Sequence, residues 1–312
     1  MLELEPGLAL TPGQRPEVRA QFTTSERAPD IFNSMTLHER YARASVPILR
    51  DGRFVHVPVA PALDKIQDPE VLRELEELDR QPFADGLDGR RITAETIVEV
   101  ADPRRTISQD AACSCSATSL EEHLAENDPE EFVDTVAALS SPAGKHGFLQ
   151  RTGVCDDGTG RTTVDRLVQD AYMAVGGERS LEMAVMADVV CGENFDVVLV
   201  DDSDRSAVLD AVRSSAGSAP IVLGVDWHGE GHMVMAKGME ADQVVFFNPR
   251  GFQPQTLARL GPDHQVRPDG LESSAELARR VEFALVPERL VQGIDEDHLI
   301  PVRLEELLKA SA

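Results

Sequence analysis

The chain changes its hydrophobic periodicity part-way along, and this change constrains its fold more than any other feature. In the middle third, apolar residues recur at helical spacing, as in the segments SATSLEEHLAEN and DPEEFVDTVAAL. Strand-like runs follow in FDVVLVDD, PIVLGVDW, GHMVMAKG and QVVFFNP, with one helical segment, SDRSAVLDAVRSSAG, between the first two. Helices followed by mostly antiparallel strands predict an α+β fold.

The first third of the chain and its tail give further local predictions. A helix is expected near Thr36–Ala44, and SVPILRDGRFVHVPV predicts a β-hairpin with a type I′ turn at Asp51-Gly52. Asp68 is expected to cap the helix PEVLRELEELDR, with Pro69 at its first position. The segment TAETIVEVA predicts a short strand, and ESSAELARRVEFAL near the C-terminus predicts a helix.

A length of 312 residues fits one large domain or two small ones. We predict that residues 1–100 form an N-terminal accessory or pro-region-like segment that begins with a loose tail of about 30 residues. Residues 101–312 are predicted to form the main domain, which includes a C-terminal extension from Gly251 onward.

The formal net charge of −25 disfavours nucleic acid and anionic membrane surfaces as partners, and it favours a basic substrate. No apolar run approaches the roughly 20 residues that span a bilayer. The N-terminal residues lack the basic and apolar regions of a secretory signal. We therefore expect a cytoplasmic protein, or one exported by a route that needs no signal peptide; the sequence does not specify an oligomeric state.

The chain has four cysteines, Cys113, Cys115, Cys155 and Cys191, and free thiols are expected. Cys115 directly precedes an amphipathic helical pattern, and a helix N-terminus stabilises a thiolate through its backbone N–H groups and dipole. Cys113 is the nearest alternative nucleophile. Cys191 has no helix after it, and Cys155 lies in a loop beside two aspartates.

A nucleophilic thiol also needs an imidazole base and a group that orients the base. His232 begins one predicted strand, and Asn248 ends the next. If Gly238 pairs with Asp242 across the turn, His232 lies directly opposite Asn248, at a Cβ–Cβ distance of about 5 Å. The hairpin can therefore hold an imidazole against an amide oxygen.

Other histidines fit this role less well. His228 and His146 lie in loops, and His123 lies within a helical pattern. A zinc site formed by the two neighbouring cysteines and His232 is an alternative, although C-x-C spacing is unusual for structural zinc. We predict neither a metal nor a cofactor.

Two segments resemble a known family. The segment QDAACSCSATSL, from Gln109 to Leu120, is similar to the active-site segment of papain-like cysteine hydrolases, particularly the bacterial C39-like peptidases. The order of this segment, a Gly-His strand start and an Asn-Pro strand end also resembles that group. Ser114 stands where the group usually has glycine.

The resemblance implies that residues 101–312 form a papain-like catalytic domain, in which the helix that carries the nucleophile packs against an antiparallel sheet. It implies that Cys115 is the nucleophile, His232 the base and Asn248 the residue that orients the base. Gln109 and the backbone N–H of Cys115 would form the oxyanion hole. The expected activity is hydrolysis of an amide bond, most simply a peptide bond in a peptide or protein substrate. A protein-glutamine deamidase, a transglutaminase-like effector and an inactive binding protein are the alternatives.

Overall fold

A computed structural model describes residues 35–50, 53–110, 112–153, 156–176, 180–201, 204–215, 219–227, 230–240, 243–249, 269–273 and 279–301. Most of the predicted loose tail, the predicted I′ turn at Asp51-Gly52, and Cys155 and His228 lie outside these residues. Within them, no helix combines the length and apolar character that crossing a bilayer requires.

The helices of the described residues precede most of the strands in the chain. They are α1 Leu37–Tyr41, α2 Val59–Leu63, α3 Pro69–Arg80, α4 Gly89–Ala101, α5 Pro103–Thr106, α6 Cys115–Asn127, α7 Pro129–Ser140, α8 Thr163–Val175, α9 Ser180–Cys191 and α10 Asp204–Ser215. Several start at a side chain that accepts a hydrogen bond from the first turn, as at Asp68, Asp88 and Asp128. The predicted cap at Asp68, with Pro69 after it, is confirmed.

The strands form two short hairpins and one large sheet. They are β1 Ser45–Arg50, β2 Arg53–Pro58, β3 Lys145–His146, β4 Leu149–Gln150, β5 Phe195–Leu199, β6 Ile221–Trp227, β7 Glu230–Glu240, β8 Gln243–Phe247, β9 Asp269–Ser273, β10 Val281–Pro287 and β11 Leu299–Pro301. In the described residues, β1 pairs with β2, β3 pairs with β4, and the large sheet has the order β11-β5-β10-β6-β7-β8-β9. Its neighbouring strands are all antiparallel, which confirms the α+β class.

Two hydrophobic cores cover the two faces of this sheet. The first lies between one face and the helices from α1 to α9, and includes Ile97, Leu120 and Met235. The second lies on the other face beneath α10, and includes Val212 and Val234. Because Ile97 and Leu120 share one core, the regions on either side of residue 100 pack together.

The prediction of a strand at TAETIVEVA is wrong, because this segment belongs to α4. Its β-branched residues favour a strand locally. However, Asp88 caps the helix, and Thr93 and Thr96 donate their hydroxyls to the carbonyls one turn earlier. Residues 92–99 are all buried, so packing on every side outweighs the local preference.

The prediction of a helix over ESSAELARRVEFAL is wrong at both ends, although residues 279–280 are helical. Its last residues form β10, which lies between β5 and β6 near the middle of the large sheet. Val281, Ala284 and Leu285 are buried there. The first residues of the segment belong to β9, and residues 274–278 lie outside the described residues. Central sheet pairing therefore decides this segment, since it satisfies the backbone on both sides.

Candidate active site

His232 and Asn248 form a buried hydrogen-bonded pair at one end of the large sheet. His232 lies near the start of β7, and Asn248 directly follows β8. Each is only 2% exposed, and His232 Nε2 lies 2.8 Å from Asn248 Oδ1. An amide oxygen only accepts hydrogen bonds, so Nε2 carries the proton in this pair. In a neutral ring, Nδ1 is then the basic nitrogen.

The pair forms in a different register from the predicted one. In the pairing of β7 with β8, Met235 lies opposite Phe247 and Ala236 lies opposite Phe246. A bulge at Lys237 shifts the register by one residue between these pairs and the turn. Continued by one residue, this register sets Asn248 across from Val234 rather than His232. The predicted register was wrong by two residues. A slip of two keeps each side chain on its face, and a diagonal neighbour remains within reach of a long side chain.

The segment before α6 contacts the residue that follows Asn248. Gln109 N donates to Pro249 O at 3.0 Å, and Ala112 N donates back to Gln109 O at 2.9 Å. The Gln109 side chain is buried, and its Nε2 donates one hydrogen to Ala112 O at 2.8 Å. These contacts place the predicted oxyanion-hole residue beside the strand end that carries Asn248.

A second anchor joins the middle of α6 to β7. Lys237 Nζ lies 2.6 Å from Glu122 Oε2 and 2.7 Å from Glu126 Oε2. Glu122 lies about 10 Å along the helix axis from Cys115, and Lys237 lies about 16 Å along the strand from His232. The first anchor joins the segment before α6 to the His232 end of the sheet. The start of α6 therefore lies toward that end.

Cys115 is the first residue of α6, is partly buried and packs against the first core. The preceding residue, Ser114, makes no side-chain cap to α6; its hydroxyl donates instead to Gln169 Oε1 at 2.8 Å. This differs from α3, α4, α7 and α8, which all begin with a side-chain cap. An uncapped first turn leaves backbone N–H groups for a thiolate or an oxyanion.

The other described cysteines are less suited to act as the nucleophile. Cys191 is the last residue of α9, where the helix dipole disfavours a thiolate. Burial, together with Glu193 and Asp188, raises the pKa of Cys191 well above its ordinary value. Cys113 is exposed and lies two residues before α6. Cys113, Cys115 and His232 do not form a cluster of metal ligands in the described part of the chain.

The remaining described histidines have other partners. His146 Nε2 lies 2.8 Å from Glu131 Oε1. His123 lies inside α6, beside Asn127, and its burial together with the nearby Lys237 lowers its pKa to about 4.

The sequence analysis missed a group of three buried carboxylates within the helical layer. Glu99, Glu121 and Asp165 come from three helices, and one side-chain oxygen of each lies within 4.8 Å of those of the other two. The three residues are far apart in the sequence and belong to no recognisable motif. The one local signal was the helix start at Thr162, whose capping box includes Asp165.

Comparison of the chain with models of protein families, with curated proteins and with solved structures found no match.

Proposed function

We propose that the protein is a papain-like cysteine hydrolase that cleaves amide bonds, with Cys115 as its nucleophile. The observation that carries the proposal is the buried pair of His232 and Asn248, in which Nε2 and Oδ1 are 2.8 Å apart. Gln109 lies next to this pair, because its N–H donates to the carbonyl of Pro249. An imidazole fixed by an amide oxygen, near a helix that begins with cysteine, provides a base and a nucleophile.

In the proposed reaction, the Cys115 thiol gives its proton to His232 Nδ1, and the sulfur attacks the substrate carbonyl carbon. His232 then donates that proton to the leaving amine as the carbon–nitrogen bond breaks, which leaves a thioester on Cys115. Water, deprotonated by His232, attacks the thioester and releases the acid and the thiol. Asn248 takes no proton; it holds Nε2 and so leaves Nδ1 to react.

The oxyanion that forms in each step would be stabilised by the backbone N–H of Cys115 and by Gln109. Gln109 Nε2 has two hydrogens and donates one of them to Ala112 O. We expect Gln109→Ala to lower kcat about 100-fold, as loss of one oxyanion donor does in other hydrolases. A matched Gln81→Ala variant removes a partly buried amide that donates to Ala137 O. It should leave kcat unchanged.

The proposal requires the Cys115 sulfur to meet the imidazole at the end of the sheet. His232 pairs across the strands with Val225, whose side chain belongs to the core beneath α10, whereas Cys115 packs against the core on the α6 side. The two groups can therefore approach only where β7 and α6 both begin. A test of their coupling is consequently more informative than a test of either alone.

Thiol labelling provides that test. The full chain carrying Cys113→Ser would be treated with iodoacetamide at pH 6, and the labelled sites mapped by peptide mass spectrometry. We expect Cys115 to be labelled fastest, and His232→Ala to slow its labelling at least tenfold, because the base that stabilises the thiolate is lost. His146→Ala, which removes a histidine paired with Glu131, should leave the rate unchanged.

Preferential labelling of Cys155 or Cys191 would contradict the assignment of Cys115, and equal rates with and without His232 would contradict the pairing. Product analysis on a casein substrate separates the activities. New peptide termini support peptide-bond hydrolysis. Ammonia release without cleavage would instead indicate a glutamine deamidase. A reactive Cys115 with neither product would indicate a binding protein.

A further inference from the structure

Three carboxylates meet in the interior of the helical layer. Glu99 lies on α4, Glu121 on α6 and Asp165 on α8, and all three are buried. A side-chain oxygen from each lies within 4.8 Å of those from the other two. Burying three carboxyl groups together is costly unless their charge is balanced.

Each carboxylate is held in place by one of its two oxygens. Glu99 Oε1 accepts from the Thr162 hydroxyl at 2.7 Å, and Glu121 Oε2 accepts from Gln169 Nε2 at 2.7 Å. Asp165 Oδ2 accepts from the backbone N–H of Thr162 at 3.0 Å. These bonds fix the orientation of all three groups, as outer hydrogen bonds do around metal ligands.

The second oxygen of each carboxylate is buried and accepts no hydrogen bond from any described residue. These atoms are Glu99 Oε2, Glu121 Oε1 and Asp165 Oδ1. Burial and the mutual repulsion of the three groups raise the pKa values of Glu99 and Glu121, and burial raises that of Asp165. Such a site must take up protons or a cation.

The charged neighbours of the site form their hydrogen bonds with other groups, although Arg161 is close enough to favour the charged forms of Glu121 and Asp165. Glu95 Oε1 accepts from Arg91 at 2.7 Å, and Glu95 Oε2 accepts from the backbone N–H of Thr163 at 2.7 Å. Arg161 Nη1 lies 3.1 Å from both Gln169 Oε1 and Asp170 Oδ1. Glu95 is therefore a buried carboxylate beside the site with both of its oxygens satisfied.

We propose that Glu99, Glu121 and Asp165 bind one Ca²⁺ ion. Their oxygen donors suit a hard cation. Calcium binds oxygen at about 2.4 Å, so two ligands of one ion lie at most about 4.8 Å apart, and the cluster meets that limit. Magnesium demands near-octahedral geometry and usually keeps several waters, which fits a fully buried site less well. This site departs from the sequence-based prediction of no metal.

The position of the site suggests what the ion does. Gln169 donates to Glu121 and accepts from Ser114, the residue that precedes Cys115. A bound ion would join α4, α6 and α8 and, through Gln169, brace the start of α6. The inference rests on the carboxylates alone and does not require that Cys115 be a nucleophile.

Calcium titration of the full chain tests the proposal. After treatment with EDTA and its removal, Ca²⁺ would be titrated by isothermal calorimetry, and thermal unfolding followed with Ca²⁺, with Mg²⁺ and with neither. We expect one Ca²⁺ per chain and a higher Tm with Ca²⁺ than with equal Mg²⁺. Glu99→Gln, which can still accept from Thr162, should weaken Ca²⁺ binding at least about tenfold.

Glu95→Gln is the matched control, since it neutralises a buried carboxylate of α4 that lies outside the cluster. It should weaken Ca²⁺ binding less than Glu99→Gln does, because Glu95 acts on Glu99 and Asp165 only through its charge. The proposal is overturned if the wild-type protein binds no Ca²⁺ at millimolar concentration, or if both variants weaken binding equally. If Glu99→Gln does not fold, Glu121→Gln takes its place, and the wild-type titration still decides whether an ion binds.

Discussion

Glu121 and Glu122 are consecutive residues of α6, and both side chains are fully buried, but they face different layers of the molecule. Glu122 faces the sheet, where Lys237 Nζ lies 2.6 Å from its Oε2. Glu121 faces the helices, where Gln169 donates to one oxygen and no described residue donates to the other. One carboxylate has a cation from the chain itself, whereas the other lies among further carboxylates.

The comparison shows that burial alone does not define the role of a carboxylate. On the sheet side, the ammonium of Lys237 is shared between Glu122 and Glu126, and this fixes α6 against β7. On the helix side, three carboxylates share the nearby Arg161, which donates its hydrogen bonds to other groups, and this deficit of positive charge motivates the calcium proposal. The two sides therefore predict opposite responses to the loss of a negative charge.

The largest effect is expected when the cation on the sheet side is removed. Lys237→Met leaves Glu122 buried with only Arg104, 3.8 Å away, as a nearby cation. We expect a loss of about 3 kcal/mol in the free energy of unfolding, because Glu122, whose pKa burial raises to about 7 even beside Lys237, must then stay charged without that cation or take up a proton. Urea unfolding measures it. The double variant Lys237→Met/Glu122→Gln should recover part of the loss; a single variant as stable as wild type would show that the pair contributes little.

An intermediate effect is expected from neutralising each glutamate in turn. In EDTA, Glu121→Gln should stabilise the protein by about 1 kcal/mol, because it replaces a buried carboxyl group that must either stay charged beside other carboxylates or take up a proton. At a Ca²⁺ concentration 100 times the wild-type Kd, the same variant should lack up to about 2.7 kcal/mol of calcium-dependent stability. Glu122→Gln should destabilise by the same amount in both conditions. Urea unfolding measures the stability of both variants with and without Ca²⁺. An equal effect of Ca²⁺ on the stability of the two variants would contradict the proposed difference between Glu121 and Glu122.

The smallest effect is expected where the partner of a buried carboxylate can itself titrate. Asp204, at the start of α10, is buried, and its Oδ2 lies 2.6 Å from His298 Nδ1. This hydrogen bond and the nearby Asp201 and Asp295 raise the pKa of His298 above its ordinary 6.5. The protonated ring is thus favoured in the folded state. Its contribution is complete below pH 6.5 and is lost as pH rises through the folded pKa.

His298→Asn should therefore lower Tm most near pH 5.5, and the difference from wild type should shrink as the pH is raised to 9. Thermal unfolding across this range measures the effect. His38→Asn, which removes an exposed histidine 3.4 Å from Asp64, is the control for loss of a surface charge. A Tm difference that does not change with pH would mean that His298 acts through packing alone.

Local signals in the sequence predicted much of the fold. The hairpin of β1 and β2 forms with Arg50 opposite Arg53, and α3 starts at its predicted cap. Predictions failed where tertiary packing opposes the local preference. α4 is helical because it is buried on every side, and β10 is extended because it pairs with strands on both sides.

The candidate site was predicted to a similar extent. The sequence indicated a helix that starts at Cys115 and a histidine near an asparagine, and the structure pairs His232 with Asn248. It did not indicate the register, because the strands pair Gly238 with Val245 near the turn, and a bulge at Lys237 then shifts the pairing by one residue. The diagonal arrangement of the pair follows from both differences.

The sequence by itself determined where helices begin, which residues alternate along the strands and which residue types are available for chemistry. These features depend on neighbours in the chain, such as Asp68 beside Pro69. Only the tertiary structure decided that Glu122 meets Lys237, and that Glu121 meets Glu99 and Asp165 instead. Adjacent residues of a helix point about 100° apart, so two neighbours with the same side chain enter different environments. The packing of distant helices and strands then decides which charge each one meets.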